Sequence, residues 1–243
     1  MTSGTRAVGV AVSADGRSDD DPPARATVAA AVVRTDRVVD GLSFSTCTVG
    51  GVDATAAVVD CLRRLDRPDA RHVLLAGVAP AWFNVIDCRR VYEATDRPVT
   101  AVSFEASDGL APHLREHFDG EARRRRLAVY DSLPERRPLS LGGDGGGGGD
   151  PDESDLWLRA VGVDAVTAER VVAAHTPDGQ GRPEPLRVAR LAARAGRSYV
   201  ARRGGAGPSP ATESPDDSLR DRCRRLATPE TSRLTPAADR VPV

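Results

Sequence analysis

Lysine is absent from this chain of 243 residues, so all 34 of its basic side chains are arginine. Without an ε-amino group there is no phosphate-cradling loop of the Walker type, no Schiff-base catalyst and no phosphate-pairing lysine of the protein-kinase kind. Strong net charge is absent too: the arginines face 35 acids, for a formal charge of −1, so no broad field draws the chain to a polyanion or a membrane surface. Cysteine is scarce. Cys47, Cys61, Cys88 and Cys223 include no Cys-x-x-Cys pair, and with the first three inside apolar periodic segments they read as reduced core residues. No stretch approaches the ~20 apolar residues of a membrane span and no apolar run follows a basic start, so the expected location is the cytoplasm, with no membrane partner.

What is present has the composition of one α/β domain, expected over residues 1–200. Arg6 to Val12 is a short apolar strand leading into an acid-rich loop. Ala26 to Arg34 and Val38 to Val49, joined at Thr35-Asp36-Arg37, read as a hairpin. Asp53 stands where a helix cap belongs, and Val58, Cys61, Leu62 and Leu65 follow at helical spacing on one face. His72 to Ala79 is an unbroken apolar run of the kind buried on both faces, as in a central parallel strand. A helix is expected from Asn84 to about Asp96 and a buried strand over Val99 to Phe104. A helical stretch then runs from Asp108 to about Leu133, with a break at Asp119-Gly120. The Gly-rich segment at about 141–155 is expected to be a flexible insertion. Leu156 to Val163 resumes as a strand, with closing helices over Asp164 to His175 and Pro185 to Ala195. Residues 201–243, rich in Pro, Ser, Thr and isolated charges, are expected to form a disordered tail.

Three antiparallel strands feeding a parallel βαβ half, with helices on both faces, is the mixed sheet of a ribonuclease-H-like fold; a flavodoxin-like or other doubly wound sheet is the alternative on pattern alone. Several segments carry a resemblance: Val52-Asp53-Ala54-Thr55, the run LLAGVAPAWFNVID from Leu74 to Asp87, Tyr92-Glu93, Pro98-Val99, and GRPEPLRVARL from Gly181 to Leu191. On these the chain resembles an archaeal domain of unknown function, uncharacterised protein family 0215, which is similar in fold to endonuclease V.

Endonuclease V cleaves nucleic acid at deaminated purines with a divalent metal held by carboxylates at the ends of neighbouring strands. Such chemistry needs paired acids to place the ion that activates water. The positions that the resemblance assigns to those acids are Ala11, in GVAVS, and Ala76, in LLAGVA. Thr48-Val49-Gly50-Gly51 supplies no acid after the third strand. The resemblance therefore implies a scaffold without its metal carboxylates, and neither a metal nor another cofactor is expected.

Candidate ligand-binding residues are Asp53, Asn84, Asp87, Arg182, Glu184 and Arg187. Asn84 and Asp87 sit where the central strand passes into a helix, on the carboxyl edge where open α/β sheets bind ligands; the competing role is a helix cap close to a capping box. Trp82 and Phe83 beside them could stack on a base or fill core. In Arg182-Pro183-Glu184-Pro185-Leu186-Arg187 two prolines restrict the directions of the charged side chains. Arg187, Arg190, Arg194 and Arg197 then form one basic stripe, suited to phosphates or to a solvated face. The run Arg123 to Arg126 reads most simply as a solvated helix face, with an electrostatic footprint for nucleic acid as the alternative. His113-Leu114-Arg115-Glu116-His117 matches the H-x-x-E-H pattern of inverted zinc peptidases, which also needs a third ligand from a downstream helix. The reading is a non-catalytic protein that binds a nucleotide or nucleic acid. The alternatives are a metal-dependent nuclease with relocated ligands such as Asp15, Asp53 and Asp87, and a structural partner in a complex.

Overall fold

A computed structural model describes residues 4–15, 24–104, 109–141 and 156–204. The start of the Asp108 helix, nearly all of the Gly-rich insertion and the tail beyond residue 204 lie outside them. Residues up to Ala201 belong to one compact unit.

The hydrophobic runs become a seven-stranded mixed sheet in the order β3-β2-β1-β4-β5-β7-β6. Strand β1 (Arg6–Ser13) pairs antiparallel with β2 (Arg25–Arg34), and β2 with β3 (Val39–Thr48). On its other side β1 runs parallel to β4 (His72–Ala76), and β4 runs parallel to β5 (Val99–Ser103). Two further strands close that end: β7 (Leu156–Val161) is antiparallel to β5, and the three-residue β6 (Arg137–Leu139) is antiparallel to β7. Val73, Leu74 and Leu75 are almost fully buried because both faces of the central strand are covered.

On one face α1 (Ala54–Leu65) and α3 (Cys88–Thr95) pack on the β1 and β4 side chains Val8, Val10, Val73 and Leu75. The expected stripe of Val58, Cys61, Leu62 and Leu65 is the buried face of α1. On the other face, Ala7, Leu74 and Val102 meet Val171 and Val172 of α6 (Ala165–Ala174) and Leu186 of α7 (Glu184–Gly204). Between β5 and β6 lie α4 (Ala111–His117) and α5 (Gly120–Asp131), separated by the expected break. The three cysteines within the described residues, Cys47, Cys61 and Cys88, are buried and free, and burial pushes the Cys88 thiol up to about 12. No described helix is long and apolar enough to cross a membrane.

Three boundaries differ from expectation. Strand β4 stops at Ala76 rather than Ala79, because Gly77 takes φ +83° and donates to the carbonyls of Leu75 and Val102, turning the chain off the sheet. The next regular helix starts at Cys88 rather than Asn84. Before it lies a four-residue turn, α2 (Pro80–Phe83), with three consecutive left-handed residues, Ala81, Trp82 and Phe83, at φ 47°, 57° and 56°. Non-glycine residues rarely adopt that region, each at a cost of about 1–3 kcal/mol. Helix α7 runs to Gly204, well past the expected end at Ala195.

Candidate functional site

The parallel register from Ala7↔His72 to Val10↔Leu75 sets Ala11 beside Ala76 one step further on. Both side chains point to the α7 face, where Ala11 packs with Ala31, Val33 and Ala189 and touches the margin occupied by Ala76 and Val188. Small residues here let α7 lie directly on β1: a Cβ on Gly9 would fall 2.1 Å from the Pro185 carbonyl. Ala11, only 3% exposed, lies under α7, and Ala76 lines the open cleft, so methyl groups stand at both positions that the resemblance assigns to metal carboxylates. The residues present do not fit a strand-end metal centre.

In front of Ala76, at the carboxyl ends of β4 and β5, opens a cleft of about 430 Å³. Its floor is Ala76–Ala79 and Ala101–Phe104, and its charged lining is Arg136, Arg159, Arg182 and Arg190, with His113 at the rim. Among the described residues no Asp or Glu lines it. Aromatic faces hold the arginines: the Arg182 guanidinium lies 4.1 Å from the Phe104 ring centre, Arg136 4.7 Å from Trp157 and Arg159 5.4 Å from Tyr130. Arg159 also donates to the Pro134 carbonyl and, at 3.3 Å, to the Tyr130 hydroxyl. Burial, and after it the charges of Arg190 and Arg194, holds Arg182 below the usual arginine range; burial and then Arg159 act likewise on Arg136. A guanidinium stays protonated nonetheless, so burial leaves the Arg182 charge poorly solvated, a cost that an anion in the cleft would relieve.

The other candidates are engaged elsewhere. Asn84, fully buried, caps α1 in trans: its Oδ1 accepts from Ala54 N at 2.9 Å, while its Nδ2 donates to the Thr48 carbonyl and to Asp53 Oδ1. It does not cap the helix that follows it. Asp53 makes no side-chain cap of its own helix; its carboxylate accepts from the Thr48 amide and hydroxyl, from Asn84 and from Arg25. Partial burial raises its pKa, but those bonds together outweigh burial and hold it below the usual carboxylate range. Asp87 is the cap of α3, accepting from Arg90 N at 3.0 Å. It lines a separate cavity of about 640 Å³ between α1, α3 and α5. Glu184 and Arg187 form a two-bond ion pair with each other.

The basic stripe of α7 divides likewise. Arg187 is taken by Glu184 and Arg197 by Asp15, leaving Arg190 on the cleft. Asp15, Asp53 and Asp87 do not gather: among the described residues one group alone brings three potential metal ligands within 4.8 Å of one another, His113, Glu116 and His117. Nor is Arg123 to Arg126 wholly a solvated face. Arg126 is buried, lies over the Phe118 ring and donates to the carbonyls of Gly50, Gly51 and Phe83, bracing the left-handed turn. Trp82 and Phe83 pack with His117 and Phe118 as a half-buried aromatic cluster.

The family model described as endonuclease dU matches residues 3–196. The chain belongs to that family. It is 30% identical over 194 residues to the UPF0215 protein of Methanopyrus kandleri, covering 77% of this chain and 89% of that one. Over 178 residues it is 30% identical to the UPF0215 protein of Pyrobaculum calidifontis, covering 72% and 91%. Among solved structures it is similar to a protein of unknown function from Archaeoglobus fulgidus, with a TM-score of 0.62, 25% identity, and 78% and 96% of the two chains covered. It is also similar to the endonuclease V of Bacillus subtilis, with a TM-score of 0.53, 11% identity, and 82% and 83% covered. The last likeness establishes the ribonuclease-H-like fold and no more.

In this endonuclease dU family member, the ligand-binding candidates thus contribute Arg182 to the cleft, the basic stripe contributes Arg190 and the H-x-x-E-H segment contributes His113. Arg136 and Arg159 were not singled out. Arg159 did carry a signal, as the only charge between Leu156 and Val163 in an otherwise apolar strand; such a residue must aim at an edge or an anion.

Proposed function

We propose that this protein is a non-catalytic member of its family that binds nucleic acid or nucleotides by their phosphates. The observation that carries the reading is the cleft beside Ala11 and Ala76, where four arginines and no described carboxylate line the lip of the sheet. Arginine forks match phosphate oxygens bidentately and bind them without a bridging cation. Phe104, Tyr130 and Trp157 already support the guanidinium planes, so little ordering entropy is lost when an anion arrives. An endonuclease V of Ciona intestinalis has been solved in complex with a DNA containing inosine, which makes a polynucleotide the first ligand to try on a scaffold of this fold.

The competing reading is the activity in the family's description, an endonuclease, with ligands moved to Asp15, Asp53 and Asp87. The ion pair of Asp15, the bonds of Asp53 and the cap made by Asp87 all speak against it. Titrating the chain into labelled single-stranded and duplex oligonucleotides at low salt, without added metal, separates the two. The expected result is saturable binding whose log K falls linearly with log salt, by roughly one unit of slope per phosphate held. Absence of binding at low salt, or strand cleavage that needs Mg²⁺, would sink the proposal.

A further inference from the structure

One turn of α4 carries a second set of polar side chains that the arginine cleft does not use. His113 and His117 stand four residues apart and Glu116 stands between them, so all three project from one helical face. Their ligand atoms lie within 4.8 Å of one another, and His113 Nδ1 is 3.8 Å from the Glu116 carboxylate. All three are exposed, so an ion can reach them without moving the fold. The His117 ring is also held in place: it stacks on Phe83 at 5.4 Å between ring centres and 29° between planes, and its centre is 5.4 Å from Trp82. One imidazole is thus supported by ring contacts, while His113 and Glu116, both exposed, have rotamer freedom to close on an ion that takes donors at about 2.0–2.2 Å.

We propose that His113, Glu116 and His117 form a binding site for a divalent cation of the zinc type at the rim of the arginine cleft. Two imidazole nitrogens and one carboxylate oxygen suit Zn²⁺, Co²⁺ or Ni²⁺; an oxygen-seeking ion such as Mg²⁺ would leave the imidazoles unused. Three protein ligands leave a coordination position open. His113 lines the same cleft as Arg182 and Arg190, so a phosphate oxygen held by those arginines can approach the ion. The arginines repel the cation while the cleft is empty, and a bound phosphate removes that repulsion. Metal and phosphate therefore strengthen one another's binding, by the same factor in each direction. The metal site stands on α4 alone; only this coupling rests on the phosphate-binding reading.

The test is calorimetric titration of the full chain with ZnCl₂, paired with the visible absorption of Co²⁺, which reports tetrahedral coordination directly. One saturable site per chain is expected. Its affinity should fall by at least about tenfold in His113→Ala and in His117→Ala, and less in Glu116→Gln, with circular dichroism showing each variant folded. Lack of saturable zinc binding overturns the site. So does binding that persists in the His113→Ala/His117→Ala variant, which would place the ligands elsewhere. A labelled oligonucleotide read with and without Zn²⁺ then addresses the coupling: zinc should tighten its binding to the wild-type chain and leave that variant unchanged. An oligonucleotide that never binds contradicts the phosphate reading while leaving the zinc result to stand.

Discussion

Two polar regions flank the loop that leaves β4, and they are finished in opposite ways. Around Asn84 the donors and acceptors close on one another: Thr48, Asp53, Ala54 and Asn84 share six hydrogen bonds of 2.7–3.1 Å. The cleft at the ends of β4 and β5 is lined by four arginines, with no described carboxylate among the lining. Both regions are polar and both lie at the carboxyl edge where α/β sheets bind ligands. Position at the edge therefore does not identify the site. Charge of one sign lining an open cleft does, because a buried polar group must find its partner within the fold, whereas a cleft lined by arginine favours an anion from outside.

The largest expected effect tests the floor between the two regions. Ala11→Asp places a carboxylate under Ala189 with no partner, and urea unfolding should show a loss of about 3 kcal/mol or more. Ala76→Asp, at the open cleft, should cost much less, and the two together should not confer Mg²⁺-dependent cleavage. Next, Asn84→Ala strips the trans cap from α1 and leaves Thr48 and Asp53 short of a donor. We expect a loss of about 2–3 kcal/mol with oligonucleotide affinity unchanged at temperatures where the variant is folded. The converse pattern is expected of Arg182→Ala/Arg190→Ala: affinity lowered about 10–100-fold and the salt slope reduced by up to two, with stability within about 0.5 kcal/mol of wild type.

The smallest effects are in pH. Asp53 is held below its ordinary value, so its contribution to stability is complete above about pH 4 and is lost as pH falls through the folded value; Asp53→Asn should flatten that part of the curve. His175, buried at the C-terminal end of α6, is also lowered, chiefly by burial, against an opposing bond to the Val171 carbonyl. Stability should therefore be full above about pH 6.5 and decline below it as the unfolded chain takes up the proton. Neither titration should alter the salt slope of oligonucleotide binding at pH 7.

Much of this fold was legible because its signals are local or periodic. The stripe of α1, the β2–β3 hairpin, the break before Gly120 and the start of α6 at Asp164 each need only a few adjacent residues to be read. What escaped depends on distant partners or on rare backbone. Strand β6 is three residues with a proline, too short for a period. The left-handed turn uses Ala, Trp and Phe, which do not announce positive φ, and Arg126, 43 residues from Phe83, braces it. Asn84 was read as a cap for the helix after it, while its helix begins 30 residues earlier. The cleft draws its arginines from a loop, from β7, from the segment before α7 and from α7, and no spacing rule joins those four places.

The account turns on arginine, in place of a strand-end metal, being what holds phosphate. Fluorescence anisotropy of one labelled oligonucleotide, with a chelator present, on wild-type chain and on Arg182→Ala/Arg190→Ala tests it most directly. Salt-sensitive binding is expected of the wild type, with a loss of about 10–100-fold in the variant. Equal affinity in the two proteins, or binding that appears only when Mg²⁺ is restored, would contradict it.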